Sequence, residues 1–173
     1  MGVSPDKVFG ITGWKNSGKT TLLEAVVREL SARGHRVSTI KHAHHAFDID
    51  VPGKDSYRHR EAGAHEVIVA SGQRWALMHE LRGAAQPGLA ELLGHLSDCD
   101  LVLVEGFKGG SHPKIEVLRA PGPEGRIADA DGTVCAIASP DAALAGTHKH
   151  LALNDIAEIA DFICAHRGLA PRG

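Results

Sequence analysis

The chain has 173 residues, a formal net charge of -2 and 43% hydrophobic residues. A chain of that length is expected to form a single domain over residues 1–173, burying roughly two thirds of its unfolded surface, and its charge balance lacks the basic excess of a duplex nucleic-acid binder. No apolar run approaches membrane-spanning length and the opening MGVSPDK is no signal peptide, so the expectation is a cytoplasmic protein with no nucleic-acid or membrane partner.

Val8–Thr12 is a compact apolar strand, followed by a glycine-rich turn. Leu22, Leu23, Val26, Val27 and Leu30 then recur at helical spacing, and Gly34 closes that helix. Val37–Ile40 is the next strand, and Ser56–Ala62 reads as a short helix stopped by Gly63. Glu66–Ala70 and Trp75–Leu81 flank Ser71-Gly72-Gln73-Arg74, the composition of a hairpin turn.

Leu89–Leu96 is helical, and Leu101–Val104 is the unbroken apolar run of a buried parallel strand. Further strands are expected at Ile115–Leu118 and Val134–Ala138. The segment Ala120–Gly132 between them, with two prolines, three glycines and four charges, reads as a solvated loop. A last helix spans about Asp155 to Arg167, with Asp155 and Glu158 at capping-box spacing and Gly168 beyond its end. Cys99, Cys135 and Cys164 form no CxxC pair and read as reduced thiols. Alternating strands and helices predict an α/β fold with a mostly parallel sheet, flanking helices and an antiparallel hairpin addition.

Gly13-Trp14-Lys15-Asn16-Ser17-Gly18-Lys19-Thr20 satisfies G-x-x-x-x-G-K-[ST] between a predicted strand and a predicted helix. This is the phosphate loop of a P-loop NTPase. Gly13 and Gly18 let the backbone turn its N–H groups inward, and the helix N-terminus adds a positive dipole. Lys19 is placed to reach the outer phosphates, while Thr20 offers a hydroxyl to Mg²⁺. A magnesium-side acid should end another strand of the same sheet, and Glu105 ends Leu101–Val104. The guanine-reading N/T-K-x-D pattern is absent: Thr147-His148-Lys149-His150 begins like it but ends in His. Ser139-Pro140-Asp141 is a candidate neighbour of the base. From these residues alone, ATP and GTP are not separable.

The stretch His42–Ser56, HAHHAFDIDVPGKDS, follows the second strand, whose C-terminal end should face the ligand crevice. Its histidines and acids admit a zinc reading. However, no Cys joins them, and the acids alternate with Phe47, Ile49 and Val51. An acidic loop beside the phosphates, with Asp48 and Asp50 approaching Mg²⁺ or orienting water, suits the pattern better. Lys41, Lys54, Arg58 and Arg60 around it, and Lys108 and Lys114 further on, are candidate phosphate contacts.

Gly13–Thr21 (GWKNSGKTT), Lys41–Ala64 (KHAHHAFDIDVPGKDSYRHREAGA) and Val104–Lys108 (VEGFK) together resemble the MobB family of molybdopterin-guanine dinucleotide biosynthesis adapter proteins. The first motif is shared by many NTPases, whereas the second is long and far more specific. The resemblance implies a homodimeric GTP-binding protein with weak GTPase activity. Its implied partner is a MobA-like nucleotidyltransferase that joins GMP to molybdopterin. Carried over by motif, Gly13–Thr21 would hold GTP and Mg²⁺, with Glu105 as the magnesium-side acid. The segment around Asp48, Asp50, Gly53, Lys54 and Asp55 would form a second wall that could also contact molybdopterin or the partner. Two other readings are a dethiobiotin-synthetase-like ATP-dependent ligase, which shares the P-loop and a Val-Glu-Gly strand end, and a metallochaperone GTPase, suggested by twelve histidines.

Overall fold

A computed structural model describes residues 2–43, 47–122 and 124–170. They fall into two compact units: one built from residues 2–42 and 89–170, the other from residues 43–88. The smaller unit lies, in sequence, between the two stretches that build the larger one.

The first unit is a six-stranded parallel sheet. Its strands are β1 (Val8–Thr12), β2 (Val37–Lys41), β5 (Leu101–Glu105), β6 (Lys114–Val117), β7 (Val134–Ser139) and β8 (His150–Ala152), in spatial order β2-β5-β1-β6-β7-β8. Strands β1 and β5 are buried along their whole length, as their unbroken apolar runs require. Helices α1 (Lys19–Ala32) and α4 (Ile156–Arg167) pack on one face, where Leu22, Val26 and Leu30 of α1 meet Phe9, Ile11, Leu103 and Ile163. Full burial of each such side chain contributes about 1.5–3 kcal/mol. Helix α3 (Leu89–Gly94) covers part of the other face through Leu93, against Val8, Val102 and Val104.

The helix ends follow their sequence signals. Gly34 takes a φ of +84° just after α1, and Asp155 accepts the Glu158 N–H at 2.9 Å to cap α4, which Gly168 ends at φ +64°.

The face of the sheet that carries Gly10 is unexpectedly polar. A Cβ on Gly10 would lie 2.8 Å from His112 Nε2 and from Lys114 Cγ, so only glycine lets these side chains cross β1. Lys114, expected among the candidate phosphate contacts, is instead fully buried. Its ammonium donates to the Gly110 carbonyl (2.5 Å), to the Thr133 hydroxyl and to Asp131 (3.4 Å). Glu116, also fully buried, accepts the backbone N–H groups of Ile127 and Ala128, both at 2.9 Å. The predicted solvated loop therefore contains a 3-10 turn over Ile127–Asp129 with two buried residues, because a buried carboxylate needs those donors.

The second unit holds α2 (Asp55–Glu61) and a two-stranded antiparallel sheet of β3 (Glu66–Ala70) and β4 (Trp75–His79). The predicted hairpin is real, and it forms a sheet of its own. Ile68, Leu77 and Trp75 share one of its faces by register and are exposed.

His112 gives the fold a pH signature. Burial, then Lys114, disfavour a charged imidazole, Asp131 opposes them and Arg167 adds to them; the outcome is a pKa lowered from 6.5 to about 4. Unfolded chains take up this proton near pH 6.5, whereas the folded protein does so only near pH 4. Stability is thus fully present above pH 6.5 and falls as pH drops through the window to 4, by at most about 3 kcal/mol from this group. Urea unfolding across that window should show a steeper acid loss in the native protein than in His112→Gln. Equal slopes would remove His112 as the cause.

Candidate phosphate-binding site

The central position of β1, with β5 on one side and β6 on the other, brings the chain to the C-terminal edge of the sheet at Thr12. There the backbone must reverse within a few residues. Gly13 does so at φ +151°, Asn16 at +62° and Gly18 at +95°. Asn is the ordinary side chain that best tolerates the left-handed region. At Gly13 space is also limiting, since a Cβ would come within 2.5 Å of Ser17 Oγ and 2.7 Å of the Val117 carbonyl. The turn delivers the chain directly into α1, so its first N–H groups, which have no intrahelical partner, open onto the loop.

Lys19 and Thr20 are the first two residues of that helix. The Lys19 ammonium donates to the Trp14 carbonyl at 2.7 Å and so spans the loop from end to start. Desolvation lowers its pKa below the usual lysine value, opposed by Glu105 and assisted by Lys108 and Lys41. An anion among these three ammonium groups would relieve their mutual repulsion.

Thr20 Oγ1 lies 3.0 and 3.1 Å from the two oxygens of Glu105 and donates to that carboxylate. The acid is 9% exposed, and Lys41 Nζ lies 3.6 Å from it. Parallel pairing of β2, β5 and β1 sets this geometry, with Glu105 opposite Ile11 on one side and Lys41 on the other. A helix-borne hydroxyl against a buried strand-end carboxylate is an oxygen-donor pair fit for a hard divalent cation. Thus Gly13 to Thr21 and Glu105, proposed separately from the sequence, converge.

Arg119 and Gly125, which the sequence did not single out, join the loop. Arg119 Nε donates to the Ser17 carbonyl at 2.9 Å, and its guanidinium lies against Gly18. Trp14 Nε1 donates to the Gly125 carbonyl at 2.8 Å, while Lys108 Nζ stands 4.0 Å from the centre of the indole ring. The loop is therefore fastened at both ends to the segment that follows β6. Arg119 left no sequence signal beyond its place just after a strand.

Asp48 and Asp50 belong to the second unit, as do Lys54, Arg58 and Arg60. Arg60, a candidate phosphate ligand, is held by three acids through all three of its nitrogens. Nε donates to Asp50 (3.2 Å), Nη1 to Glu80 (2.8 Å) and Nη2 to Asp48 (2.9 Å). Asp50 also accepts from the Ser56 hydroxyl at 2.8 Å. The Asp50 backbone N–H and then Arg60 hold Asp48 below the usual carboxylate range. For Asp50, partial burial pulls upward, but Ser56 and Arg60 outweigh it and the value is again lowered. His44 and His45 lie outside the described residues. His42 packs its ring 4.9 Å from that of Phe107, beside β5.

Comparison with known proteins identifies the family and the fold. Residues 8–140 match the family described as Molybdopterin guanine dinucleotide synthesis protein B, MobB. The chain is 44% identical over 163 residues to the Molybdopterin-guanine dinucleotide biosynthesis adapter protein of Haemophilus influenzae, covering 90% of this chain and 86% of the relative. It is 43% identical over 161 residues to the Escherichia coli protein of the same name, covering 90% of each. The crystal structure of a MobB homolog from Bacillus stearothermophilus superposes with a TM-score of 0.70 at 26% identity, over 95% of this chain and 99% of that one. With a matching P-loop α/β fold, an intact phosphate loop and close relatives along most of its length, this chain belongs to the MobB family.

Proposed function

We propose that this chain is a GTP-binding adapter protein of molybdopterin guanine dinucleotide biosynthesis. It would serve a MobA-like nucleotidyltransferase, the class of enzyme that joins GMP to molybdopterin, in the cytoplasm. Two relatives of nearly full coverage carry the adapter name, which supports the pathway. The observation that carries the nucleotide part is the Thr20–Glu105 contact beneath a loop whose Gly13 and Gly18 have the backbone turns that phosphate binding needs.

Lys19 and the α1 N-terminus bind the phosphates, and Arg119 and Trp14 hold the loop in shape. Thr20 and Glu105 are the residues that would hold Mg²⁺, which when bound neutralises phosphate charge. Burial of Glu105 keeps competing water away from that pair.

The adapter would act as a homodimer. A two-stranded sheet is marginal by itself, and open strand edges favour pairing with another copy. The β3–β4 hairpin has both features, with exposed Ile68 and Trp75 to cover.

Calorimetric titration with Mg²⁺ and GTP should show binding that Lys19→Ala weakens roughly 30-fold or more, as expected for removing one member of a partly buried charge pair. Glu105→Gln should reduce the magnesium dependence more than the affinity in chelator. Unchanged GTP binding by Lys19→Ala would sink the nucleotide reading. For the dimer, sedimentation equilibrium should report two copies in the native protein and one in Ile68→Asp/Trp75→Asp. A double variant that stays dimeric places the interface elsewhere.

A further inference from the structure

A cavity of about 250 Å³ opens in the first unit between the segment after β6 and the turn after β7. Leu118, Ala143 and Leu144 give it apolar walls, Gly122 and Gly125 leave room for close approach, and Arg126 and Asp129 supply its charged groups. Ligand pockets for whole small molecules run to roughly 300–1,000 Å³. This one suits a single flat ring system whose remainder lies outside it. The phosphate loop is next door, because Gly125 in the cavity wall accepts the hydrogen bond of the Trp14 indole at 2.8 Å. Trp14 and Leu144 also pack against one hydrophobic cluster, which includes Leu118 and Ile127.

The polar groups are built rather than incidental. The buried carboxylate of Glu116 fixes the turn Ile127–Asp129 through two backbone N–H groups. Asp129 then accepts from Arg126 Nε at 3.0 Å and pairs with His148 Nε2 at 2.9 Å. His148 and then Arg126 hold its carboxyl below the usual range, so it is anionic at neutral pH. Arg126 Nη1 reaches the carbonyl of Leu144, another lining residue, at 3.4 Å. Gly146 lies directly against that guanidinium, and a side chain there would displace it.

We infer that this cavity receives the base of the bound nucleotide, and that Asp129 with Arg126 selects guanine over adenine. The inference rests on the nucleotide reading proposed above and adds residues to it. An ionised carboxylate only accepts hydrogen bonds. Guanine presents two adjacent donors, N1–H and the N2 amino group, to such an acceptor, whereas adenine presents its N1 lone pair. A guanidinium is the group that meets guanine O6. His148, in a segment that begins like a guanine motif, thereby has a positioning role through Asp129 instead of a direct contact.

The experiment is competition binding of GTP, ATP and XTP to the full chain, with Lys19→Ala, Asp129→Asn and Ala143→Phe beside it. The native protein should prefer GTP to ATP by roughly 10-fold or more. Asp129→Asn should lose GTP affinity and gain XTP, since an amide can donate to the xanthine 2-oxo group. Ala143→Phe, at an exposed position, should fill the cavity and weaken GTP while leaving inorganic tripolyphosphate binding as in the native protein. If Asp129→Asn keeps the native GTP-to-ATP ratio while Lys19→Ala loses both, the base pocket is refuted and the phosphate site stands. Should Asp129→Asn unfold, native-like GTP affinity in Ala143→Phe overturns the pocket. If native protein binds neither triphosphate, the nucleotide reading fails and this inference falls with it.

Discussion

The contact between Thr20 and Glu105 depends on parallel strand pairing that places the ends of β1, β5 and β2 at one edge of the sheet. A one-residue slip of β5 against β1 would send the Glu105 side chain to the opposite face and put Val104 in its place. Burial of β5 on both faces forbids that slip only weakly, because Leu101 to Val104 are all apolar. What pins the register is the polar end: a carboxylate 9% exposed must find donors, and only this register offers the Thr20 hydroxyl and the Lys41 ammonium. The site residue thus specifies the sheet as much as the sheet positions the residue.

A similar logic governs the other side of β1. Gly10 has no side chain, so His112 and Lys114 can fold across it, and Lys114 draws Gly110, Asp131 and Thr133 together. Glu116, two residues further on β6, fixes the turn at Ile127. Alternate positions of one short strand therefore organise two separate loops. The second of these is tied to the phosphate loop by the Trp14–Gly125 hydrogen bond, while Arg119 binds Ser17 from just beyond β6. Buried charges of this kind contribute little net stability, since desolvation offsets most of their attraction. Their consequence is geometric: without the Glu116 carboxylate the Ile127 and Ala128 N–H groups would lose their acceptor, and without Lys114 nothing would tie Gly110 to Asp131 and Thr133.

The phosphate loop was legible because its signal is backbone geometry written in glycine, and no distant residue is needed to produce those turns. Glu105 was legible because an apolar run long enough for a strand must end at the sheet edge. Lys114 and Glu116 were not, because the groups that satisfy them come from Gly110, Ile127, Ala128, Asp131 and Thr133, and nothing local marks those as partners. The alternation K-I-E-V did hold a clue, since it gives β6 one polar face where β5 has none. Strand β8 was missed for a different reason. At three residues it carries no periodicity, and its pairing to β7 defines it. Arg60 read as a candidate phosphate contact because an arginine on a short polar helix looks free until Glu80, twenty positions away, is brought beside it.

That arginine bears on how the acidic stretch behaves. Asp48 and Asp50 are separated by one exposed apolar residue, Ile49, and their segment has little buried surface to order it. Without a cation nearby, two ionised carboxylates so close would repel and spread apart. Arg60 supplies that cation from α2 and meets both, and Ser56 adds a neutral donor to Asp50. The guanidinium does not neutralise the group, because Asp48, Asp50 and Glu80 carry three formal negative charges against one positive. Arg60 therefore fixes where the negative charge sits while leaving an excess of it. A lysine at the same place could not do this, since one ammonium cannot offer three carboxylates the fixed, divergent N–H directions of a planar guanidinium.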